Sequence, residues 1–187
     1  MDSEKYEDQI GHIYRAIGRF IVEVSQLVHT LEAHASWTLG PPPAGSGKSA
    51  PAQKAVARYF EAINRAGRGL VRDDDRKSLS QLHKELAQLI DERDRIAHDV
   101  WFVGWGSSDT TDWTPAERWQ YRSGKEWAPI NKPTLTAEGI DALAQDADRL
   151  RRLVGNVWGV VMEWPNDPER GPARVLKIVG GRLTMNR

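Results

Sequence analysis

The residues best equipped for chemistry lie close together near the middle of the chain: Arg93, Asp94 and His98. The predicted helix before them carries an apolar stripe at alternating steps of three and four residues. Its members are Leu79, Leu82, Leu86 and Leu89. The same steps lead on to Arg93, so an arginine takes a position that helix packing would give to leucine. Because a guanidinium keeps its charge and is costly to bury alone, we expect Arg93 to contact a carboxylate from a neighbouring helix, a carboxylate across a subunit interface, or a phosphate.

Asp94 and His98 are four residues apart and therefore share one face of a helix. A carboxylate at that spacing can orient the imidazole and raise its affinity for a proton, as a general base requires. Arg93 and His98 differ by about 140° around the helix, so they converge only if the arginine reaches toward the C-terminal end or a dimer supplies a second copy. The alternative is structural: Arg93 closes an internal salt bridge, and His98 lies at a helix end where a cation suits the helix dipole.

Four amphipathic segments should position these residues. Each has apolar residues at helical spacing, and together they predict an all-α fold, an antiparallel four-helix bundle in a single domain over residues 1–187. The predicted segments are helix 1 within 1–39, a Pro/Gly linker at 40–50, helices 2 and 3 within 51–99, a tryptophan-rich β insert at 100–131, helix 4 within 132–165 and a tail at 166–187.

The insert between helices 3 and 4 has β-strand character. Residues 100–105 are β-prone, and residues 118–122 and 125–127 flank a Ser123-Gly124 turn signal, which together predict a small β-hairpin or a strand-rich insert. Its tryptophans could stack on bases, but we expect them to form a small core or an interface. In the tail, residues 175–179 predict one strand or a loosely docked segment.

Composition narrows the function classes. The chain has no cysteine, equal numbers of acidic and basic residues, and no apolar run of membrane-spanning length, so we expect a cytoplasmic protein with no membrane partner. The zero net charge gives no long-range attraction for nucleic acid, and any RNA contact must therefore be local. His12, His29 and His34 lack metal-ligand spacing, and we predict no metal site. Gly45–Ser49 lacks the first glycine of a phosphate-binding loop, because Pro42 stands there, and we predict no cofactor.

The string from Asp91 to His98, followed by Val100 and Trp101, resembles the HEPN superfamily (higher eukaryotes and prokaryotes nucleotide-binding). The shared signature is R-x4-6-H with a polar residue after the arginine. The motif resemblance covers residues 76–101, and the helix pattern extends it to the four helices. It implies a metal-independent endoribonuclease that dimerises with two motif helices across a cleft. Arg93 would then neutralise the scissile phosphate, His98 would transfer a proton, and only RNA would be cut.

The resemblance leaves other functions open. HEPN toxins silenced by modification of a tyrosine often read R-x4-H-x-Y, whereas this chain has Val100 at that position, which argues against that control. A toxin or defence role with a homodimer and an antitoxin or regulatory partner fits the family. Some HEPN-like domains only bind a partner protein or nucleotide, and Arg93 would then be structural. A third possibility is an interaction domain that docks a partner on the tryptophan-rich insert.

Overall fold

The computed structural model describes residues 3–41, 52–67, 71–98, 100–102, 117–122, 126–129, 136–167, 169 and 171–186 of the 187, with residues 3–10, 98 and the strands between 100 and 129 described by their backbone. The chain is mostly helical, as predicted. Its helices are α1 (Ser3–Leu39), α2 (Ala52–Ala66), α3 (Asp73–His98) and α4 (Ala137–Glu163). Its strands are β1 (Val100–Phe102), β2 (Glu117–Arg122), β3 (Glu126–Pro129), β4 (Leu176–Val179) and β5 (Arg182–Met185), with a 3-10 turn at Pro172–Arg174.

The four helices bury one apolar face each in a common core. In α1 the buried stripe is Phe20, Val24, Leu27 and Leu31, and α4 supplies the largest surface against it. Tyr59 of α2 is fully buried, and its hydroxyl donates to the carbonyl of Val154 at 2.8 Å, so its one polar atom is satisfied. Each apolar stripe is backed by a polar face. Among the described residues, no helix combines the length and the apolar composition that a bilayer crossing demands.

Side-chain caps fix where α3 and α4 begin. Thr136 precedes α4, and its hydroxyl accepts a hydrogen bond from the N–H of Gly139 at 3.1 Å, which is an ordinary N-cap. Asp75 lies in the first turn of α3, and its carboxylate accepts from the N–H of Arg72 at 3.2 Å and the N–H of Ala173 at 2.9 Å. Asp75 is only 2 % exposed. It therefore caps α3 and ties the start of that helix to the C-terminal segment.

Contacts between α1 and α4 show that these helices run in the same direction. Arg19 pairs with Asp141 at the start of α4, with an Nη1–Oδ1 distance of 3.3 Å. Further along both helices, the ring of His34 stacks on that of Trp158 with centroids 5.2 Å apart. The two helices are therefore parallel. The expected antiparallel arrangement is wrong for this pair, although the mostly helical class is confirmed.

Two contacts between α2 and α3 show how these helices run relative to each other. Gln53 near the start of α2 contacts Asp94 near the end of α3, whereas Phe60 further along α2 packs edge-on against His83. α2 and α3 are therefore antiparallel, as expected for helices joined by a short loop. The short connection from Gly67 to Arg72 fits this reversal.

The insert after α3 contains the predicted hairpin, and β1 lies within the stretch 100–105 that was expected to be β-prone. Strands β2 and β3 pair in antiparallel fashion, with Arg122 opposite Glu126 around the predicted turn. Strand β1 pairs with β2 on the other side, with Trp101 opposite Arg118, so the sheet has the order β1-β2-β3. The tryptophan side chains of the insert lie outside what the structure describes, so their role in a small core or an interface stays a prediction.

The tail folds as a hairpin of two strands, which we call the C-terminal hairpin (β4 and β5), where one strand or loose docking was expected. Gly180 and Gly181 have φ values of 57° and 78°, the left-handed conformations that a two-residue hairpin turn requires. Leu176 and Leu183 are buried in the core of the bundle. The hairpin is therefore packed on the helices.

Candidate functional site at the end of α3

Arg93 lies near the end of α3 with 33 % of its side chain exposed. The buried positions on either side of it are Ile90 and Ile96, both at 2 % exposure or less. Arg93 therefore continues the apolar stripe of α3, as expected, but it lies at a partly exposed position and is not sealed in the core. Its charge remains partly hydrated, so burial does not compel it to find an anion.

The anion that Arg93 contacts is the next residue of its own helix. Its Nη1 donates to Oδ1 of Asp94 at 2.8 Å. The other carboxylate oxygen, Oδ2, accepts from Nε2 of Gln53 on α2 at 2.7 Å. Asp94 therefore lies between the side-chain amide of Gln53 on α2 and the guanidinium of Arg93, and it fixes the position of Arg93. The partner is thus an acid of the same helix and not of a neighbouring helix, and the pair is the internal salt bridge of the structural alternative.

The remaining donors of Arg93 define what the site can bind. Within the described part of the chain, Nε and Nη2 of Arg93 donate to no group. These two nitrogens form the planar fork that matches two oxygens of a phosphate or carboxylate. A partly exposed arginine with this edge unused and the opposite nitrogen held by a carboxylate is suited to gripping an external oxyanion.

His98 is the last residue of α3, and its side chain lies outside the described residues. The rise of a helix places its backbone about 7.5 Å along the axis from that of Arg93. The predicted Asp94–His98 pair and the convergence of Arg93 with His98 therefore stay predictions. Of the three candidate site residues, the structure brings Arg93 and Asp94 together.

The surface around Arg93 is electrically mixed. Arg95 pairs with Glu92 at 2.9 Å on the same two turns, and Asp91 is exposed beside them. Three acids and two arginines in residues 91–95 leave this helix end without excess positive charge. Binding here must therefore depend on directed contacts of the Arg93 fork and not on a general attraction for polyanions.

A second polar cluster, which we call the α3–α4 clamp, was not predicted from sequence. It consists of Glu85 from α3, Arg149 and Asp146 from α4, and Arg182 from β5. Arg149 contacts Glu85 at 2.7 Å and Asp146 at 3.3 Å, and Asp146 also pairs with Arg182. The clamp borders a groove of about 260 Å³ between α3 and α4. All four residues are common surface types, so their spacing gives no sequence signal.

The clamp holds the backbone of the C-terminal hairpin. Glu85 accepts from the N–H of Leu183 at 2.7 Å, and Arg149 donates to the carbonyl of the same residue at 2.7 Å. Burial alone would raise the pKa of Glu85, but hydrogen bonds from Gln81, Arg149 and Leu183, with the charge of Arg149, together lower it. The carboxylate form of Glu85 is therefore the form that stabilises the fold.

We expect Glu85→Gln to destabilise the protein by about 1–2 kcal/mol at neutral pH, because hydrogen bonds to a charged group are lost. A group with a lowered pKa in the folded state stabilises above its unfolded pKa and stops doing so as the pH falls through the folded value. The difference in unfolding free energy between wild type and Glu85→Gln should therefore shrink as the pH falls below 4.5, the ordinary pKa of a glutamate. Urea unfolding at pH 7 and pH 3.5 measures this. An unchanged difference at both values would contradict it.

Two further groups of sequence candidates remain, the histidines and the stretch Gly45–Ser49. Burial lowers the pKa of His34, which stacks on Trp158, and this histidine serves packing. Within the described ranges, no three His, Asp or Glu side chains are grouped as a metal site would require. The stretch Gly45–Ser49 lies outside those ranges. Comparisons with family models, curated proteins and solved structures find no match for this chain.

Proposed function

We propose that the chain is a metal-independent endoribonuclease of the HEPN type, with Arg93, His98 and Asp94 as its active-site residues. The observation that supports this most directly is the state of Arg93. Its Nη1 is held by Asp94, its Nε and Nη2 edge is unused by described groups, and a third of the side chain is open to solvent. The R-x4-6-H resemblance adds the imidazole at position 98 and the expectation of an HEPN-like bundle.

The reaction needs no cofactor. The 2′-OH of RNA attacks the adjacent phosphorus while an imidazole of His98 accepts its proton. The bond between phosphorus and the 5′-oxygen then breaks, and a protonated imidazole returns a proton to that oxygen. The products are a 2′,3′-cyclic phosphate and a 5′-hydroxyl. Arg93 stabilises the charge that grows on the non-bridging oxygens, and it does so best when its position is set in advance, as Asp94 does here.

A dimer belongs to the proposal, because HEPN enzymes place two motif helices across one cleft. Two copies of α3 facing each other would bring a second Arg93 and His98 to the same RNA. A cytoplasmic toxin or defence effector restrained by an antitoxin or regulatory protein is the biological role that fits this family.

The alternative is a non-catalytic HEPN-like module that binds a partner protein or a nucleotide. The observation in its favour is the same ion pair, since Asp94 already neutralises Arg93 within one subunit. In that case the Nε and Nη2 edge would bind a phosphate or carboxylate without any chemistry. Binding without cleavage is therefore the result that distinguishes this function from the enzyme.

Purified protein should cut a mixed-sequence single-stranded RNA in the presence of excess EDTA. The 5′ fragments should end in a 2′,3′-cyclic phosphate, identified by mass spectrometry. A matched oligonucleotide with 2′-deoxy residues at the cut sites should stay intact, because it lacks the attacking hydroxyl. Activity that requires a divalent ion, or a preparation that binds RNA and never cuts it, would refute the enzyme.

A further inference from the structure

The ion pair of Arg93 with Asp94 joins two consecutive residues of one helix. Neighbouring residues of an α-helix point about 100° apart, so their side chains do not face each other. The other ion pairs described within single helices of this chain join residues three or four apart, as Arg95 and Glu92 do. Helix geometry therefore does not account for the Arg93–Asp94 contact, and a further contact is needed to hold the carboxylate of Asp94 toward Arg93.

Gln53 supplies a second fixed point for that carboxylate. Its Nε2 donates to Oδ2 of Asp94 at 2.7 Å, while Oδ1 accepts from Arg93 at 2.8 Å. The side chains of Arg93 and Asp94 are 33 % and 35 % exposed, and an ion pair so open to water is weak and loosely held by itself. With one oxygen bound to α2 and the other to Arg93, the plane of the carboxylate is set by both contacts.

The start of α2 is held rigidly by the core of the bundle. Gln53 itself is exposed, but Ala55 and Val56 are buried in that core, and Ala52 packs against it. The backbone of Gln53 is therefore fixed by packing, and only its side chain has to be ordered to reach Asp94.

A neutral amide is the suitable donor at this position. A carboxylate accepts hydrogen bonds, and an amide nitrogen donates them without carrying charge. Gln53 therefore orients Asp94 and leaves its negative charge for Arg93. A lysine or arginine at position 53 would instead compete with Arg93 for the same carboxylate.

We propose that Gln53 is a positioning residue of the active site, which acts through Asp94 to hold the guanidinium of Arg93 in the orientation that a phosphate requires. The catalytic consequence rests on the proposed function, whereas the contact itself does not. Charge grows on the phosphate in the chemical step, so the positioning of Arg93 contributes to the rate of that step more than to RNA binding. Gln53 lies on a different helix from Arg93, Asp94 and His98, and α2 thus takes part in forming the site.

Gln53→Ala should lower the single-turnover rate of RNA cleavage at saturating protein about tenfold, and it should change the protein concentration at half-saturation less than about threefold. Gln88→Ala, the same change at an exposed position of α3, should cleave as wild type does. In an Asp94→Ala background, Gln53→Ala should have no further effect on the rate, because the residue through which it acts is gone.

Gln53→Glu keeps the shape of the side chain and replaces the donor by a second carboxylate. The two carboxylates repel each other, so one of them takes up a proton more readily than an isolated carboxylate does. The protonated group is then a donor to the other. The rate deficit of this variant relative to wild type should therefore shrink between about pH 8 and about pH 5.5. A deficit that is the same at every pH would contradict the positioning role.

Nuclear magnetic resonance of the guanidinium nitrogens tests the contact without cleavage. In wild type the Nη signals of Arg93, assigned by their absence from Arg93→Ala, should be resolved, because Asp94 slows the rotation of the guanidinium. In Gln53→Ala these signals should merge, while those of Arg95, which pairs with Glu92, should stay unchanged.

The two kinds of measurement separate this inference from the proposed function. If wild type does not cut RNA, the proposed function fails, and the Arg93 signals alone uphold or overturn the positioning role. The role is overturned if Gln53→Ala leaves those signals unchanged, if this variant cuts RNA at the wild-type rate, or if the substitution is equally harmful in the absence of Asp94.

Discussion

Arg93→Ala is expected to lower the rate of RNA cleavage by about 10³-fold or more, because the guanidinium is the group that stabilises charge on the phosphate. The effect should appear in single-turnover cleavage at saturating protein, where substrate affinity no longer matters. His98→Ala should cause a comparable loss through proton transfer. Asp94→Asn should cause a smaller loss of cleavage rate, since Asp94 acts by positioning Arg93. It should also shift the pH profile of cleavage, because the carboxylate is expected to raise the proton affinity of His98.

The matched control is Arg95→Ala. Arg95 lies two residues further along α3, is exposed to a similar degree and also pairs with a neighbouring acid, Glu92. Its removal should leave cleavage within about twofold of wild type. Because the Arg93–Asp94 pair is a third exposed, its loss should cost no more than about 1 kcal/mol of stability. Full cleavage by a folded Arg93→Ala protein would eliminate the proposed role.

Gly67→Ala should destabilise the fold by about 2–3 kcal/mol. Gly67 follows the last residue of α2 and packs directly on the indole of Trp164, which is completely buried. A Cβ at position 67 would lie 2.4 Å from Cζ3 of that ring. The ring cannot move away without displacing the residues packed around it, so alanine at position 67 should strain the packing of the core. Thermal unfolding and urea titration at neutral pH measure the loss.

Gly155→Ala provides a control of opposite sign. Gly155 lies in the interior of α4, and a Cβ there would meet no atom within 4 Å. Alanine should therefore stabilise this helix by about 0.5–1 kcal/mol, because the unfolded chain loses conformational freedom. Equal effects of the two substitutions would show that the contact with Trp164 is not what position 67 requires.

The helices were predictable because each has a long apolar stripe on one face. Thr136 and the acids at 73–75 lie at the starts of α4 and α3, and their residue types favour a helix N-terminus. Helix direction was not predictable. Tyr59 contacts Val154 and Gly67 contacts Trp164, so α2 runs in the same direction as α4 and hence as α1. The twelve residues from Gly40 to Pro51, which join α1 to α2, can span about 40 Å when extended, so they are long enough to return the chain to the starting end of α1. A long linker thus permits parallel neighbours where a short loop would force antiparallel ones.

The candidate site residues stay predictions, and the surroundings of Arg93 and Asp94 could not be predicted from the sequence. Steps of three and four placed Arg93 on the stripe, between Ile90 and Ile96, but they could not show that a third of its side chain is exposed there. Partner choice needed the structure as well, since Gln53 lies on another helix. The second strand of the tail was missed because Arg182–Met185 is short and mixed in polarity, although Gly180 and Gly181 gave a turn signal.

The parallel pairing of α1 with α4 has a consequence for synthesis on the ribosome. Arg19 and Asp141, which meet at this interface, are 122 residues apart in the chain. At about 5–20 residues per second, the ribosome needs roughly 6–25 s to produce the second after the first. During that interval the apolar stripe of α1 lacks its main packing partner, α4. The chain must complete its last helix before the core can close, and a chaperone has that long to engage it.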